Sequence, residues 1–271
     1  MKLSEAVAIL KEAGIESARH DARKIFESIG GIESTHLVLS DAESDLPRLV
    51  EAVKRRASRE PLQYIIGEVK FYRESYNVNN NCLIPRADTE ILVEYAVKNL
   101  PDGCRFIDVC TGSGCVAIST LKNTKNTNAV AIDVSADAIV TAKQNAEKNA
   151  VSDRVEFICA DALENAVDDN FFALLSNPPY VTEADYADLA PEIYHEPKIA
   201  FVGGADGLDF YKRLIDLYKD RIDNKGFLAF EIGFDQADAL MGIAKAHGML
   251  CEIIKDYSNN DRVAVLKKRL P

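Results

Sequence analysis

The sequence of 271 residues predicts an α/β protein in which a mostly parallel, twisted sheet follows a small helical domain. Three observations predict this class. From residue 104 onward, short apolar segments typical of buried strands alternate with segments of helical periodicity, as in parallel sheets covered on both faces. Residues 1–60 show helical periodicity alone. Between them, β-branched and aromatic residues cluster around turn-forming asparagines, which is typical of a β-hairpin.

These patterns divide the chain into three predicted parts. Residues 1–62 form short helices with narrow apolar faces, which indicates a small domain that packs on itself or on a partner. Residues 63–84 form a β-hairpin linker with its turn at the sequence NVNNN, and residues 85–271 form the α/β domain. The first helix of that domain is predicted to begin with Asp88 or Thr89 as its N-cap.

Six segments of the α/β domain have the composition of strands. We expect a buried strand at RFIDVC, further strands at AVAIDV, VEFICA, FFALLS and GFLAFEIG, and an edge strand at DRVAVLKK. Ligands of parallel sheets bind beyond the carboxyl ends of the strands. The residues that follow these segments are therefore the candidates for a functional site.

The composition disfavours several classes of protein. No apolar run approaches the roughly 18 residues that a membrane span needs, so we expect no membrane partner. The first residues carry charges at helical spacing, unlike a secretory signal, and we expect a cytoplasmic protein. The net charge of −11 lies almost entirely after residue 60, and residues 161–209 hold eleven acids and one base. This surface disfavours direct binding of nucleic acid and suits a basic protein partner.

The cysteines and histidines show no pattern of metal ligands. None of the six cysteines forms a C-x-x-C pair, and several lie in apolar segments, so we expect buried, reduced thiols. The four histidines are scattered along the chain. The sequence therefore predicts no metal site.

A glycine-containing loop, Cys110-Thr111-Gly112-Ser113-Gly114, follows the first predicted strand of the α/β domain. Glycines allow the backbone to approach a ligand closely, and the helix that begins here directs N–H groups at anionic atoms. Taken alone, the loop indicates either an adenosine-type cofactor, which a dinucleotide or S-adenosylmethionine would satisfy, or simply a tight turn between strand and helix.

Acidic residues lie at the ends of three successive predicted strands, at Asp108, Asp133 and Asp161. Asp133 stands twenty-one residues after Gly112, where a carboxylate can accept hydrogen bonds from ribose hydroxyls. Asp161, next to Ala162, can reach an adenine amino group. Three carboxylates suit the cationic sulfonium of S-adenosyl-L-methionine and would repel the pyrophosphate of a dinucleotide.

The sequence Asn177-Pro178-Pro179-Tyr180 comes almost directly after the apolar segment FFALL. Prolines lack an N–H, so this backbone offers carbonyl acceptors, and the side chain of Asn177 offers another. Adjacent acceptors can receive a planar NH₂ group, and Tyr180 supplies a flat face for a conjugated system. Such a nitrogen is a poor nucleophile, so positioning it against an activated methyl donor can supply much of the catalysis. The motif does not distinguish the amide of glutamine from the amine of adenine.

From about residue 59 to residue 265, the sequence resembles the release-factor glutamine N5-methyltransferases, a family of class I S-adenosylmethionine-dependent enzymes. The resemblance implies a Rossmann-like, mostly parallel, seven-stranded sheet and an N-terminal helical domain that docks the substrate. It is carried by TGSG at 111–114, AID ending at Asp133 and NPPY at 177–180, and more specifically by PLQYI at 61–65, LIPRADTEILVE at 83–94, EP at 196–197, GGADGL at 203–208, EIG at 231–233 with Gln236, and DRV at 261–263.

The resemblance also implies an activity and its residues. The activity is methylation of the glutamine in the Gly-Gly-Gln motif of peptide-chain release factors, which modulates translation termination and leaves S-adenosyl-L-homocysteine. Asn177, Pro178 and Tyr180 would be catalytic, holding the glutamine amide with Pro179 and Arg86. The residues implied to line the cofactor are Cys110, Thr111, Gly112, Ser113, Gly114, Asp133, Asp161, Ala162, Asn177 and Phe71. We also expect a monomer.

Some implied roles have alternatives. Arg86 could instead pair with Glu90 and brace the following helix, and we expect structural roles for Glu231 and Arg262. Cys110 stands where the family usually has glycine, and we expect its side chain to fit only if its φ is negative.

Three other functions stay open on the sequence. An adenine N6-methyltransferase acting on DNA or RNA would normally have a basic cleft, which this acidic chain does not show. A noncatalytic cofactor-binding interaction protein is opposed by the intact acceptors at 177–180. A nicotinamide-dependent dehydrogenase would need a proton-transfer residue and a partner for the pyrophosphate.

Overall fold

The computed structural model describes residues 1–164 and 166–269, which form two compact units. The first unit consists of Met1–Glu68 together with a separate segment, Ala190–His195. The second unit consists of Val69–Leu189 and the chain from Glu196 onward. The predicted end of the α/β domain at residue 271 lies outside the described residues.

The first unit is helical. Its helices are α1 (Leu3–Glu12), α2 (Ala18–Ser28), α3 (Ser34–Leu39), α4 (Pro47–Ala57) and α5 (Leu62–Ile66). Their apolar faces meet in a core that includes Leu10, Phe26 and Leu49. The buried guanidinium of Arg56 also lies in this unit, with its Nε 2.8 Å from Asp21 Oδ2 and its Nη1 3.2 Å from Glu192 Oε1. This ion group ties the segment Ala190–His195 to the helices.

The predicted β-hairpin forms, but its position differs from the prediction. Strands β1 (Glu68–Phe71) and β2 (Glu74–Asn77) are joined at Tyr72 and Arg73, and residues 62–66 form helix α5. The turn predicted at NVNNN is therefore wrong. Tyr72 takes a left-handed φ of 56°, and its N–H donates to Glu90 Oε1 at 2.8 Å. A residue far along the chain thus holds this turn, which local composition could not reveal.

The second unit contains one large sheet with helices on both of its faces. The elements that follow β2 are α6 (Glu90–Asn99), β3 (Arg105–Val109), α7 (Cys115–Lys122), β4 (Asn128–Asp133), α8 (Ala136–Lys148), β5 (Val155–Cys159), β6 (Phe171–Ser176), α9 (Glu183–Tyr186), α10 (Asp209–Tyr218), β7 (Ile222–Glu231), α11 (Ala237–Ala246), β8 (Met249–Lys255) and β9 (Asp261–Lys268). Short 3₁₀ turns cover Ala87–Thr89 and Lys198–Ala200.

The sheet has seven strands in the order β5-β4-β3-β6-β7-β9-β8, which confirms the predicted sheet. The pairs from β5 to β7 are parallel, and those of β9 with β7 and β8 are antiparallel. Successive residues of β3 point to opposite faces, so Phe106 and Ile107 belong to two separate apolar cores.

The edge assignment of DRVAVLKK is wrong, because β9 lies between β7 and β8. Its residues Val263 to Leu266 are all buried, as a strand paired on both sides and covered on both faces requires. The two edge strands are β5 and β8, and the sequence did not predict β8. The middle residues of β8 are only half-buried or exposed, and Glu252 interrupts its apolar sequence MLCEIIK.

Among the residues described, no helix combines the length and apolar composition that crossing a bilayer requires.

Candidate active site

Four neighbouring parallel strands place their carboxyl ends at one edge of the sheet. Val109, the last residue of β3, is in register with Ile132 in β4 and with Ser176 in β6. Ser176 is in turn in register with Phe230 in β7. The loops after these strands, which carry most of the predicted site residues, therefore lie side by side.

In the loop after β3, every second residue has a left-handed backbone conformation. Cys110, Gly112 and Gly114 have φ values of 61°, 54° and 81°. The expectation that Cys110 fits only at a negative φ is therefore wrong. Cys110 is half-buried, its thiol interacts with the Ser176 hydroxyl, and desolvation raises the pKa of the thiol well above the usual range. A left-handed residue other than glycine is strained, so Cys110 holds a conformation that glycine would adopt freely.

Asp108 stabilises this loop by accepting hydrogen bonds. It is only 1% exposed, and its Oδ2 accepts hydrogen bonds from the Thr111 hydroxyl at 2.6 Å and from the Ala117 N–H at 3.1 Å. Burial raises the pKa of Asp108 to about 7, although both hydrogen bonds lower it. Asp108 therefore joins the loop to the first turn of α7 and does not line the cavity described below.

Asp133 at the end of β4 faces the same loop. Its Oδ2 accepts from the Gly112 N–H at 2.8 Å, and its Oδ1 accepts from the Ser135 N–H at 2.9 Å. Each carboxylate oxygen keeps a further acceptor site. Burial raises the pKa of Asp133, and the hydrogen bonds from Ser135 and Gly112 oppose that effect.

A cavity lies beside these strand ends. Its walls include Asn81, Cys82, Leu83, Ile199, Ala200 and Phe210, none of which was predicted. The first three follow the hairpin, and Leu83 begins the stretch LIPRADTE that carried the resemblance, so that stretch was the available signal. The predicted residues that line the cavity are Cys110, Gly112, Asp133, Asp161, Ala162, Asn177 and Pro179.

Other predicted residues lie around the cavity without forming its walls. Thr111, Ser113 and Gly114 shape the loop, and an added Cβ on Gly114 would approach the Ile118 Cδ1 to 2.8 Å. Phe71 is buried in the core, where its ring meets the edge of Tyr76 at 5.9 Å. The structure therefore does not place Phe71 against the cavity, because the hairpin turns this side chain inward.

Arg86 has a carboxylate partner, but it is not Glu90. The guanidinium forms an ion pair with Glu196, whose Oε2 also accepts from the Ile84 N–H at 2.9 Å. Glu90 accepts the Tyr72 N–H instead, so the alternative of an Arg86–Glu90 pair is wrong. The Arg86–Glu196 pair joins the segment before α6 to the segment at 196–200.

The predicted NH₂ receptor at Asn177 and Pro178 has its acceptors available. The Asn177 Nδ2 donates to Thr89 Oγ1 at 3.2 Å, so the NH₂ of this amide already has a partner. Within residues 1–164 and 166–269, no group donates a hydrogen bond to Asn177 Oδ1 or to the Pro178 carbonyl. Two adjacent carbonyl oxygens are therefore free to receive the two hydrogens of one planar amine or amide.

Two glycines allow other chain segments to press against this motif. A Cβ on Gly203 would lie 2.2 Å from the Pro179 carbonyl oxygen, and a Cβ on Gly207 would lie 2.2 Å from the Tyr180 carbonyl oxygen. Gln236 Nε2 also donates to the Tyr180 carbonyl at 3.1 Å. The stretches GGADGL and EIG with Gln236 thus fix the backbone of NPPY.

Thr89 occupies the N-cap position of α6, yet its side chain makes no capping hydrogen bond. Asp88 does not cap the helix either, and its Oδ2 lies 3.4 Å from Arg262 Nη2. The prediction of Thr89 at the N-cap position is therefore confirmed, but neither side chain caps the helix, because Thr89 contacts Asn177 and Asp88 contacts Arg262.

The cavity has the chemistry that S-adenosylmethionine requires. Its charged walls are the carboxylates of Asp133 and Asp161, and no described lining residue is lysine, arginine or histidine. Carboxylates can bind hydroxyl and amino groups and favour a cation, whereas a pyrophosphate would lack a positive partner. The described residues also contain no group of His, Cys, Asp or Glu side chains that could hold a metal ion.

The sheet order and the cavity at its parallel strand ends define the class of Rossmann-like methyltransferases. Residues 2–67 match the family described as "PrmC N-terminal domain", and residues 87–200 match "Methyltransferase small domain". The ribosomal protein L11 methylase from Lactobacillus delbrueckii subsp. bulgaricus has a similar fold, with a TM-score of 0.53 and 16% identity over 71% of this chain and 84% of that one.

Curated relatives define the family more closely. The release factor glutamine methyltransferase of Geobacter sulfurreducens is 34% identical, covering 94% of this chain and 91% of the relative. The enzyme of the same name from Thermodesulfovibrio yellowstonii is 39% identical, covering 80% of this chain and 79% of the relative. The chain belongs to the family of release factor glutamine methyltransferases.

Proposed function

We propose that the protein transfers the methyl group of S-adenosyl-L-methionine to the side-chain amide nitrogen of the glutamine in the Gly-Gly-Gln motif of peptide-chain release factors. The observation that carries this proposal is the pair of free acceptors, Asn177 Oδ1 and the Pro178 carbonyl, at the edge of the acidic cavity. The names of the curated relatives support the choice of substrate.

Residues at three strand ends would hold the cofactor. Asp133 suits the ribose hydroxyls, and Asp161 with Ala162 suits the adenine edge. Cys110 and Gly112 supply a close-approaching backbone beside them. When bound, the cofactor supplies an activated methyl group on a cationic sulfur.

The NPPY residues orient the nitrogen that accepts the methyl group. Asn177 Oδ1 and the Pro178 carbonyl each accept one N–H of the amide, which fixes the plane of the amide group. Tyr180 lies half-buried at the end of the motif, where its ring can pack against that plane. A nitrogen held in this way presents its lone pair in one direction, and positioning of this kind is worth several kcal/mol. A strong base is not needed to activate it.

We propose that the helical residues 1–62 dock the release factor, with residues 63–84 as the linker and the rest as the catalytic domain. The excess of acidic residues in 161–209 suits a basic protein surface and disfavours adenine in DNA or RNA as the substrate. A monomer in the cytoplasm, where release factors act on the ribosome, is the form we propose.

The test is methyl transfer from labelled S-adenosylmethionine to a purified release factor, beside the same factor with its Gly-Gly-Gln glutamine changed to alanine. Duplex DNA and a structured RNA are assayed in parallel. We expect label on the unchanged factor alone. Label on nucleic acid would show that the acceptors receive adenine, and bound cofactor without any transfer would support the noncatalytic alternative.

Asn177→Ala tests the role of the acceptor itself. We expect it to lose most turnover, by about 100-fold or more as when one catalytic hydrogen-bonding group is deleted, while the cofactor still binds. The control is Asn99→Ala, which removes an exposed amide at the end of α6. Turnover near wild type in Asn177→Ala would contradict the acceptor argument.

A further inference from the structure

A fully buried amide, Asn145, connects two segments of the chain beside the cavity. Asn145 lies in α8 and is 0% exposed. Burying an amide costs free energy unless its polar atoms are hydrogen-bonded, so the partners of Asn145 indicate its role. These partners belong to the end of the hairpin and to the loop after β3.

The side chain of Asn145 makes three hydrogen bonds to backbone atoms of these segments. Its Oδ1 accepts from the Asn77 N–H at 2.7 Å, and its Nδ2 donates to the Asn77 carbonyl at 3.0 Å. The same Nδ2 donates to the Ser113 carbonyl at 2.9 Å. Because one N–H and two carbonyls surround the amide, only the observed orientation of its oxygen and nitrogen satisfies all three.

Both ends of this bridge lead into the wall of the cavity. Asn77 is the last residue of β2, and the chain that follows it supplies residues 81–83 to the wall. Ser113 directly follows Gly112, which also lines the cavity. Asn145 is not part of the wall itself, but it fixes two segments of the wall relative to each other.

The peptide between Ser113 and Gly114 is held at both of its polar atoms. Its N–H donates to the Thr111 carbonyl at 2.8 Å, and its carbonyl accepts from Asn145. Because glycine allows both signs of φ, this peptide could rotate if the bond from Asn145 were lost. The amide therefore holds the loop in one of the several conformations that its glycines permit.

We propose that Asn145 is a positioning residue for the cofactor, whose amide joins the hairpin to the loop after β3 and so keeps the cavity wall in the conformation that binds S-adenosylmethionine. The inference rests on the proposed function for the identity of the cofactor, but the contacts of the amide can be measured without any ligand. It gives Asn145 a role that helix formation does not, since asparagine has a lower helix propensity than alanine or leucine.

The binding test compares Asn145→Asp and Asn145→Ala with a matched control. Aspartate keeps the shape of asparagine and the acceptor for the Asn77 N–H but lacks both donors, whereas alanine removes the whole amide. The control is Asn149→Ala, one turn further along the chain, where Nδ2 donates to the Ser75 carbonyl of β2 at 3.1 Å. Among the described residues, Asn149 makes no hydrogen bond to the loop after β3, so its loss loosens the hairpin alone.

The Kd of S-adenosyl-L-homocysteine is measured by isothermal titration calorimetry, and urea unfolding shows which variants fold. The apparent Kd is the intrinsic value divided by the fraction of molecules with a competent loop. We expect the loss of the bridge to lower that fraction to about one in ten, and the Kd to rise about tenfold in both Asn145 variants. Asn149→Ala should stay within about twofold of wild type.

Two results of the binding test would overturn the proposal. One is a Kd within about twofold of wild type in folded Asn145→Ala and Asn145→Asp. The other is an equal rise in Asn149→Ala, because a loosened hairpin would then explain the effect without any contribution from the loop.

A second measurement uses the wild-type chain without ligand, so it stands even if the Asn145 variants do not fold. Since Nδ2 donates two hydrogen bonds, the Asn145 NH₂ should exchange with water at least about 100-fold more slowly in the NMR spectrum than the NH₂ of the exposed Asn81. Equal exchange rates would overturn the bridge. In folded Asn145→Ala, the Gly114 N–H should exchange about tenfold faster than in wild type, and an unchanged rate would show that the amide does not hold the loop.

These measurements separate this inference from the proposed function. If the wild-type chain bound no S-adenosyl-L-homocysteine, the proposed function would fail, whereas the exchange rates would still decide whether Asn145 holds the loop after β3.

Discussion

Replacing Gly203 by alanine tests whether the position of the NPPY backbone controls the rate. The φ of Gly203 is one that alanine can adopt, so the effect is steric alone. The new Cβ would lie 2.2 Å from the Pro179 carbonyl oxygen and 2.9 Å from Tyr180 Cα. Since real Cβ contacts stay above 3.0 Å, the two segments must separate by about 0.8 Å. A displacement near 1 Å of a substrate-positioning group costs about 100-fold in rate.

The assay measures initial rates of methyl transfer at saturating substrate, together with urea unfolding of each variant. The control is Gly242→Ala in α11, where an added Cβ meets nothing within 4 Å. We expect kcat to fall by about 100-fold in Gly203→Ala. Gly242→Ala should keep the wild-type rate and gain up to about 1 kcal/mol in free energy of unfolding, because alanine favours helices. A folded Gly203→Ala with kcat within about threefold of wild type would refute the reasoning.

Two further changes test the backbone strain and the buried ions. Cys110→Gly should raise the free energy of unfolding by up to about 1 kcal/mol, because glycine adopts the φ of 61° without strain. The measurement is a urea titration. A lower free energy of unfolding in the variant would show that the packing of the thiol outweighs the backbone strain. Arg56→Ala should lower the free energy of unfolding of the helical unit by about 3–5 kcal/mol, because the carboxylate of Asp21 is left buried without its partner. Chemical denaturation measures this loss, and a loss below about 1 kcal/mol would contradict the prediction.

The fold was largely predictable from the sequence because strands buried on both faces carry continuous apolar runs. AVAI at 129–132 and FFALL at 171–175 are such runs, and the alternation of strands with helices indicated a parallel sheet. The strand MLCEIIK at one edge of the sheet escaped prediction, whereas VEFIC at the opposite edge, whose residues are also half-buried or exposed, was predicted. Because β8 was not predicted, the neighbouring β9 was taken for the edge strand.

The site was predictable where one stretch of sequence carries its own chemistry. The acceptors of Asn177 and Pro178 depend on the residue types themselves, and the carboxylates at 133 and 161 depend on strand ends. Contacts between distant residues left no such local signal. Thr89 lies 88 residues before Asn177, and its hydroxyl resembled an ordinary N-cap until the fold brought the two together. The left-handed Cys110 could not be predicted either, because residues other than glycine rarely adopt a φ of 61°.

The helical unit is built from two separate stretches of the chain, which limits how its segments can be exchanged with those of a relative. This unit includes the segment Ala190–His195, which the chain reaches only after completing NPPY, and Glu192 in that segment meets the buried Arg56. The unit is therefore discontinuous in sequence, and the chain passes between the two units three times. Exchanging residues 1–68 for those of a relative would replace Arg56 and Asp21 but leave Glu192 and the old segment 190–195 behind. We therefore expect a chimera to keep a matched ion group only when both pieces are exchanged together, as a single module.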